Sequence, residues 1–248
     1  MNTANTILVS TMLVAAVSTL AQGTAQKKFD SPQKATHALF TAVDKDDKTA
    51  IMAILGVTKA LICTPDETQY KIERTRFVLK YQEMRRLVRE PDGTTVLYIG
   101  AENWQFPFPL VASKGSWRFD SAAGIREVVF RRIGENEMQT IETCKALVRP
   151  NEQVGTVTAG GAKLMHGYYI RRASSHQPSN GKATVSNISS TAKFAFIAYP
   201  AEYRSSGVMT FMVNTEGVVY AKDLGPESRI NGNSSSVLRP DTTWAVEK

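Results

Sequence analysis

Three histidines and two cysteines are all that 248 residues offer to a soft metal or to thiol and imidazole chemistry. His37, His166 and His176 stand at no ligand spacing from one another or from a cysteine, and H-E-x-x-H is missing, so a zinc hydrolase has no support. No C-x-x-C occurs, which removes a dithiol redox role. G-x-S-x-G is missing, and with it the strained turn that exposes a hydrolase serine. G-x-x-x-x-G-K-[ST] and G-x-G-x-x-G are missing too, so no glycine-rich loop is present to cradle phosphates. Ala159-Gly160-Gly161-Ala162 is too short to be more than a flexible turn. A long block of one charge is also lacking. Thirty basic residues are interleaved with 23 acidic ones, giving +7 and a pI of about 9.4. That mild excess favours an anionic wall polymer or lipid surface, with another envelope protein as a further partner, while the lack of a long Lys/Arg block makes nucleic acid a poor fit. No cofactor, metal or catalytic residue is implied.

Long apolar runs are scarce as well. Ile7 to Leu20 is the one of note, and it falls short of the roughly 20 residues that cross a bilayer. Small residues at Thr19-x-Ala21 and Gly23-x-Ala25 suit a signal peptidase. Residues 1–25 therefore read as a secretory signal peptide, despite a Met1 to Thr6 segment without Lys or Arg. The expected location is exported, periplasmic or secreted. An oxidising compartment would let Cys63 and Cys144 form a disulfide, while the helical setting of Cys144 suits a buried free thiol.

What is present is an ordinary share of core formers, 42% hydrophobic, in an α+β order. Residues 26–150 read as a helical N-terminal domain with a small hairpin, and 151–248 as a β-rich C-terminal domain, joined through a loop-rich linker at 150–163. Ser31 before Pro32 opens one helix and Gly56 closes a second at Thr49 to Leu55. Lys27 to Asp30 reads as a short leader. Thr68 to Val88 is expected as a third helix, with Tyr70, Phe77, Tyr81, Met84 and Val88 on one face. Thr94 to Ile99 is a strand, and Leu110 to Ala112 with Ser116 to Phe119 form a hairpin. A long spine helix follows Asp120 and Ser121, its expected core face being Ile125, Val128, Val129, Ile133, Met138, Ile141, Cys144 and Val148. After a β-like run at Gly167 to Ile170, strands at Phe194 to Tyr199, Gly207 to Val213 and Val218 to Lys222 make an antiparallel meander, with Trp244 docking back on the core.

The spine helix carries the best binding candidates. Arg131 and Arg132 could fork onto a carboxylate or phosphate, or could pair across one turn with Glu135 or Glu137, beside Asn136. A glycosidase would need two facing carboxylates, for which Asp120, Glu127 and Glu137 are candidates by residue type. Trp104, Phe106, Phe108 and Trp117 suit either a carbohydrate platform or a core cap. Tyr168 and Tyr169 beside His166 suit either a pocket wall or a sheet face.

Two stretches are similar to a known family. The first comprises Phe29-Asp30-Ser31-Pro32, Ala53-Ile54-Leu55-Gly56, Trp104-x-Phe106-Pro107-x-Pro109-Leu110, and Trp117-Arg118-Phe119-Asp120-x-Ala122-Ala123-Gly124 running to Arg131-Arg132-Ile133-Gly134-x-Asn136-Glu137. The second runs from Tyr199-Pro200-Ala201-Glu202-Tyr203 through Gly207-Val208-Met209-Thr210-Phe211-x-Val213-Asn214 to Val219-Tyr220-x-Lys222-Asp223-Leu224-Gly225. In this order they resemble the bacterial exported family known as domain of unknown function 2950. The chain departs in the middle: Val148 runs to His166 without the D-G-L-Y-W motif and Pro-rich stretch that members carry there. The resemblance implies export and hands over no catalytic residue. The C-terminal meander is also faintly similar to the sheet of type IV pilins, without their long N-terminal helix, which is analogy of fold alone. The expectation is a non-enzymatic envelope binding or scaffolding protein. A wall- or polysaccharide-active hydrolase and a small-ligand-binding periplasmic protein stand as alternatives.

Overall fold

Two hydrophobic cores lie on opposite sides of one long helix. The computed structural model describes residues 26–58, 67–149, 161–173, 194–228 and 240–247. The signal-peptide reading, Cys63 and most of the expected linker fall outside those ranges.

The first core is built by α1 (Pro32–Asp44), α2 (Lys48–Leu55) and α3 (Glu67–Glu83) against a five-stranded antiparallel sheet. Ser31 Oγ accepts from Lys34 N–H at 3.2 Å and Asp47 Oδ1 from Ala50 N–H at 2.9 Å, so both short helices begin on a side-chain cap. Gly56, at φ 67, ends α2 in the left-handed conformation. The sheet order is β1 (Arg85–Arg89), β2 (Thr95–Ile99), β4 (Leu110–Ser113), β5 (Ser116–Phe119), with β3 (Trp104–Gln105) also on β2. Lys114 and Gly115, at φ 49 and 75, make the tight β4–β5 turn. Leu39, Ile54, Leu97, Ile99, Leu110 and Phe119 fill the interior.

Three expectations change here. The leader is not free: Phe29 and Trp117 exchange backbone hydrogen bonds of 2.8 and 2.7 Å, and Phe29 is buried. The third helix stops at Glu83, and Arg85, Arg86 and Val88 belong to β1. Gly100 N–H, at the end of β2, donates to the carbonyls of Lys80 and Met84, both at 3.0 Å. A tertiary contact thus satisfies the helix end, and Pro91-Asp92-Gly93 becomes a hairpin turn between two strands. Trp104, Phe106, Phe108 and Trp117 form no common platform. Phe106 and Phe108 are buried, Trp117 is half-buried, and only Trp104 is exposed.

The second core lies under a six-stranded antiparallel meander. Its strands follow chain order: β6 (Lys163–Met165), β7 (Tyr168–Arg172), β8 (Phe194–Pro200), β9 (Met209–Asn214), β10 (Val219–Asp223) and β11 (Ala245–Glu247). The architecture is therefore α+β, with the meander at the C-terminal end. β6 begins at Lys163, the last residue of the expected linker. One sheet face, with Tyr168, Ile170, Phe211, Val213 and Val219, packs on the spine helix. On the other face Trp244 docks on Ile197 and Met212.

The spine helix, α4 (Ser121–Leu147), serves both cores. Asp120 caps it, accepting from Ala123 N–H at 3.1 Å, while Ser121 Oγ donates to Leu55 C=O at 2.7 Å. Gly124 and Val128 pack on the first core; Thr140 and Cys144 are buried and Ile141 and Leu147 meet the second. Gly124 and Thr140 are 16 residues apart, which at about 100° per residue places them roughly 160° apart around the axis. The helix is thus gripped on nearly opposite sides at its two ends. The expected single apolar face is not buried throughout. Ile125 and Met138 are exposed, Met138 by 65%, and Phe130 is 73% exposed. No helix among the described residues is long and apolar enough to cross a membrane.

Candidate functional site

Two clusters hold the spine helix, and between them they gather most of the candidate residues. The first is centred on Arg131. Its Nε lies 2.6 Å from Glu127 Oε1 and one terminal nitrogen donates to Gln105 C=O at 2.8 Å. Its guanidinium sits 5.5 Å from the centre of the Trp104 ring, whose edge meets Phe106. Arg131 therefore tethers the helix to β3 and covers the one exposed tryptophan face of the group. It pairs backward with Glu127, not forward with Glu135 or Glu137. Arg132 is exposed on another face, and Glu135 accepts only from Gln139, at 3.3 Å.

The second cluster is centred on Glu137. One carboxylate oxygen, Oε1, accepts from Tyr168 O–H at 3.1 Å, Val208 N–H at 2.8 Å and Met209 N–H at 3.0 Å. Its neighbour Asn136 donates to Ser206 C=O at 2.8 Å. Together they pin the loop at 201–208 that leads into β9. Tyr168 is fully buried, and its phenol is pushed well above the usual tyrosine range by burial first and then by the adjacent charge of Glu137. The packing demands glycine: a Cβ on Gly207 would lie 2.0 Å from Tyr168 Oη. Gly167, at φ 73 in the turn with His166, would place a Cβ 2.7 Å from Asn136 Nδ2. His166 therefore belongs to a hairpin turn, and Tyr169 stacks on Tyr199 on the far face of the sheet at 5.8 Å.

Chemically, the carboxylates of both clusters already have partners within the fold. Asp120 is a helix cap, Glu127 is held by Arg131, and Glu137 by a phenol and two amides. The glycosidase expectation of carboxylates facing across a cleft is not met by these three. Among the described residues no group of His, Cys, Asp and Glu is arranged to hold a metal ion. Cys144 is a free thiol, buried, with its pKa pushed up to about 12 by burial. Sequence reasoning missed Ser206, Gly207 and the Val208 and Met209 amides. Backbone donors leave no mark in residue identity, although Gly207 at the mouth of a strand was a clue to a close approach.

Comparison with known proteins yields one family. Residues 26–182 and 152–246 match the model described as Protein of unknown function (DUF2950). No curated protein and no solved structure matches significantly.

Proposed function

The chain belongs to the DUF2950 family of proteins of unknown function, and from that premise we propose that it is an exported, non-enzymatic binding or scaffolding protein of the bacterial envelope. The observation that carries this reading is that the candidate carboxylates are engaged within the fold. The three candidate carboxylates, Asp120, Glu127 and Glu137, each accept hydrogen bonds from their own chain. A general acid or base needs to reach a substrate proton, and Glu137 Oε1 is surrounded by three donors of its own chain. The exposed side chains of the same helix, Phe130, Met138, Arg126 and Arg132, offer a surface for contact instead.

Export enters the reading through the apolar segment Ile7 to Leu20. A chain cut after Ala25 begins with Gln26, whose side-chain amide donates to Ile54 C=O at 3.2 Å and Phe119 C=O at 2.7 Å, so that cut leaves the first core intact. Fractionation of the native host followed by N-terminal mass analysis tests it. A mature chain starting at Gln22 or Gln26 in the envelope fraction is expected, and a full-length cytoplasmic chain refutes export.

The binding reading is tested by incubating the purified mature chain with peptidoglycan and polysaccharides, alongside cross-linking in the envelope. No turnover is expected, together with a discrete cross-linked partner that Arg126→Ala/Arg132→Ala, at two exposed positions, weakens. Turnover abolished by Glu137→Gln in a chain that still folds overturns the reading.

A further inference from the structure

β1 reads Arg85-Arg86-Leu87-Val88-Arg89, and all three arginines are exposed. Among the described residues the strand lies at the edge of the first sheet and pairs along one side only, with β2. Its alternation puts Leu87 against the first core, leaving Arg86 and Val88 on the opposite face. The Arg85 guanidinium lies 5.2 Å from the centre of the Tyr81 ring, and that of Arg86 lies 5.2 Å from Tyr98, its direct cross-strand neighbour. No carboxylate among the described residues pairs with Arg85, Arg86 or Arg89. The nearest acids in sequence are turned elsewhere: Glu83 toward Ala101 N–H at 3.4 Å and Glu90 toward Tyr98 O–H at 3.4 Å.

An edge strand presents a row of backbone donors and acceptors to whatever can pair with it. Charged side chains on an edge resist pairing with like edges, and here a second copy would set guanidinium against guanidinium. An extended segment rich in carboxylates meets the opposite situation. It completes the backbone ladder and brings acceptors to the guanidiniums of Arg85 and Arg86, each already placed against a tyrosine ring, which reduces the ordering cost of pairing.

We propose that β1 is a docking edge for an acidic, extended segment of a partner protein, which adds to the first sheet as a further strand with its carboxylates opposite Arg85, Arg86 and Arg89. The proposal rests on the binding reading above and supplies the chemistry of the partner.

The test uses the full mature chain and fluorescein-labelled synthetic peptides, read by anisotropy. The peptides are a Glu-Glu-Val-Val repeat, whose carboxylates fall on both faces of an extended chain as the arginines of β1 do, its Lys-Lys-Val-Val counterpart, and the acidic repeat N-methylated at every second residue. Saturable binding of the acidic peptide is expected, falling with added salt. The lysine peptide should not bind. The N-methylated peptide and the Arg85→Gln/Arg86→Gln/Arg89→Gln chain should each lose at least about tenfold in affinity, the latter with unchanged circular dichroism. No binding of the acidic peptide overturns the proposal, as does binding that survives the triple substitution. Equal binding of the N-methylated peptide overturns strand addition. Preference of the same arginines for phosphatidylglycerol vesicles over the peptide assigns the edge to lipid and also overturns it. Any of these failures leaves the turnover and cross-linking tests of the binding reading standing, so the two can fail separately.

Discussion

Glu137 and Tyr168, 31 residues apart in the chain, meet at 3.1 Å, and the same carboxylate oxygen also takes the amides of Val208 and Met209. One side chain of the spine helix thus serves as the acceptor for three donors that the second core would otherwise leave without one. Glu137→Ala strands those donors, one on a fully buried ring, and is expected to cost about 3 kcal/mol in urea unfolding. Glu137→Gln keeps a carbonyl oxygen in place and should cost about 1 kcal/mol. Equal losses in the two variants would show that the hydrogen bonds contribute little.

Gly124 and Gly134 lie ten residues apart in one helix and should respond oppositely to the same substitution. A Cβ on Gly124 would lie 2.0 Å from Phe108 Cδ1, whereas one on Gly134 meets nothing within 4 Å. Gly134→Ala should raise stability by up to about 1 kcal/mol through helix propensity. Gly124→Ala should lower it by about 1–3 kcal/mol despite the same propensity gain, because Phe108 belongs to a filled core. Thermal melts of the two variants decide this; the same sign for both would refute it.

Thr140 is fully buried on α4, and among the described residues its hydroxyl has no hydrogen-bond partner. Thr140→Val keeps the shape and removes the unsatisfied group. It should stabilise the chain by about 1 kcal/mol, read as a higher urea midpoint at an unchanged slope. A loss of stability would mean that the hydroxyl is satisfied in solution.

Cys144 gives a test against pH. Its folded pKa, about 12, lies above the 9.0 of an unburied thiol, so the folded chain holds its proton where the unfolded chain releases it. The contribution is complete below about pH 9 and is lost as pH rises from 9 toward 12. Tyr168 adds a fall of the same sign above the ordinary phenol range near 10. Urea midpoints measured across this window should decline less steeply in Cys144→Ala. In a Cys63→Ser chain, a thiol reagent at pH 8 should label Cys144 only after denaturation.

The elements most legible in the sequence are those that carry their own punctuation. Ser31 with Pro32, Gly56 and Asp120 are local signals, and each lies where an element begins or ends. The end of α3 has no such signal. Its apolar period runs on through Met84 and Val88, and only the distant Gly100 amide stops it, so β1 reads as helix. The same limit applies to the clusters. Arg131, Asn136, Glu137, Trp104 and Tyr168 stand out by residue type, but their partners are carbonyls and amides of Gln105, Ser206, Val208 and Met209, which any side chain could carry. The spine helix looked uniformly amphipathic because a periodicity records that a face exists, not that the face changes sides midway. The five-residue step from Ile133 to Met138 is the trace of that change.

At about 1.5 Å per residue, the 27 residues of α4 form a rod roughly 40 Å long. Among the described residues, no hydrogen bond or ion pair directly joins 26–119 to 161–247; the recorded ones run through the helix. Mechanically it is a lever clamped at both ends. A load on β1 reaches the second core as torque along that rod, and a tilt of a few degrees at Arg131 becomes a displacement of ångströms beyond Leu147.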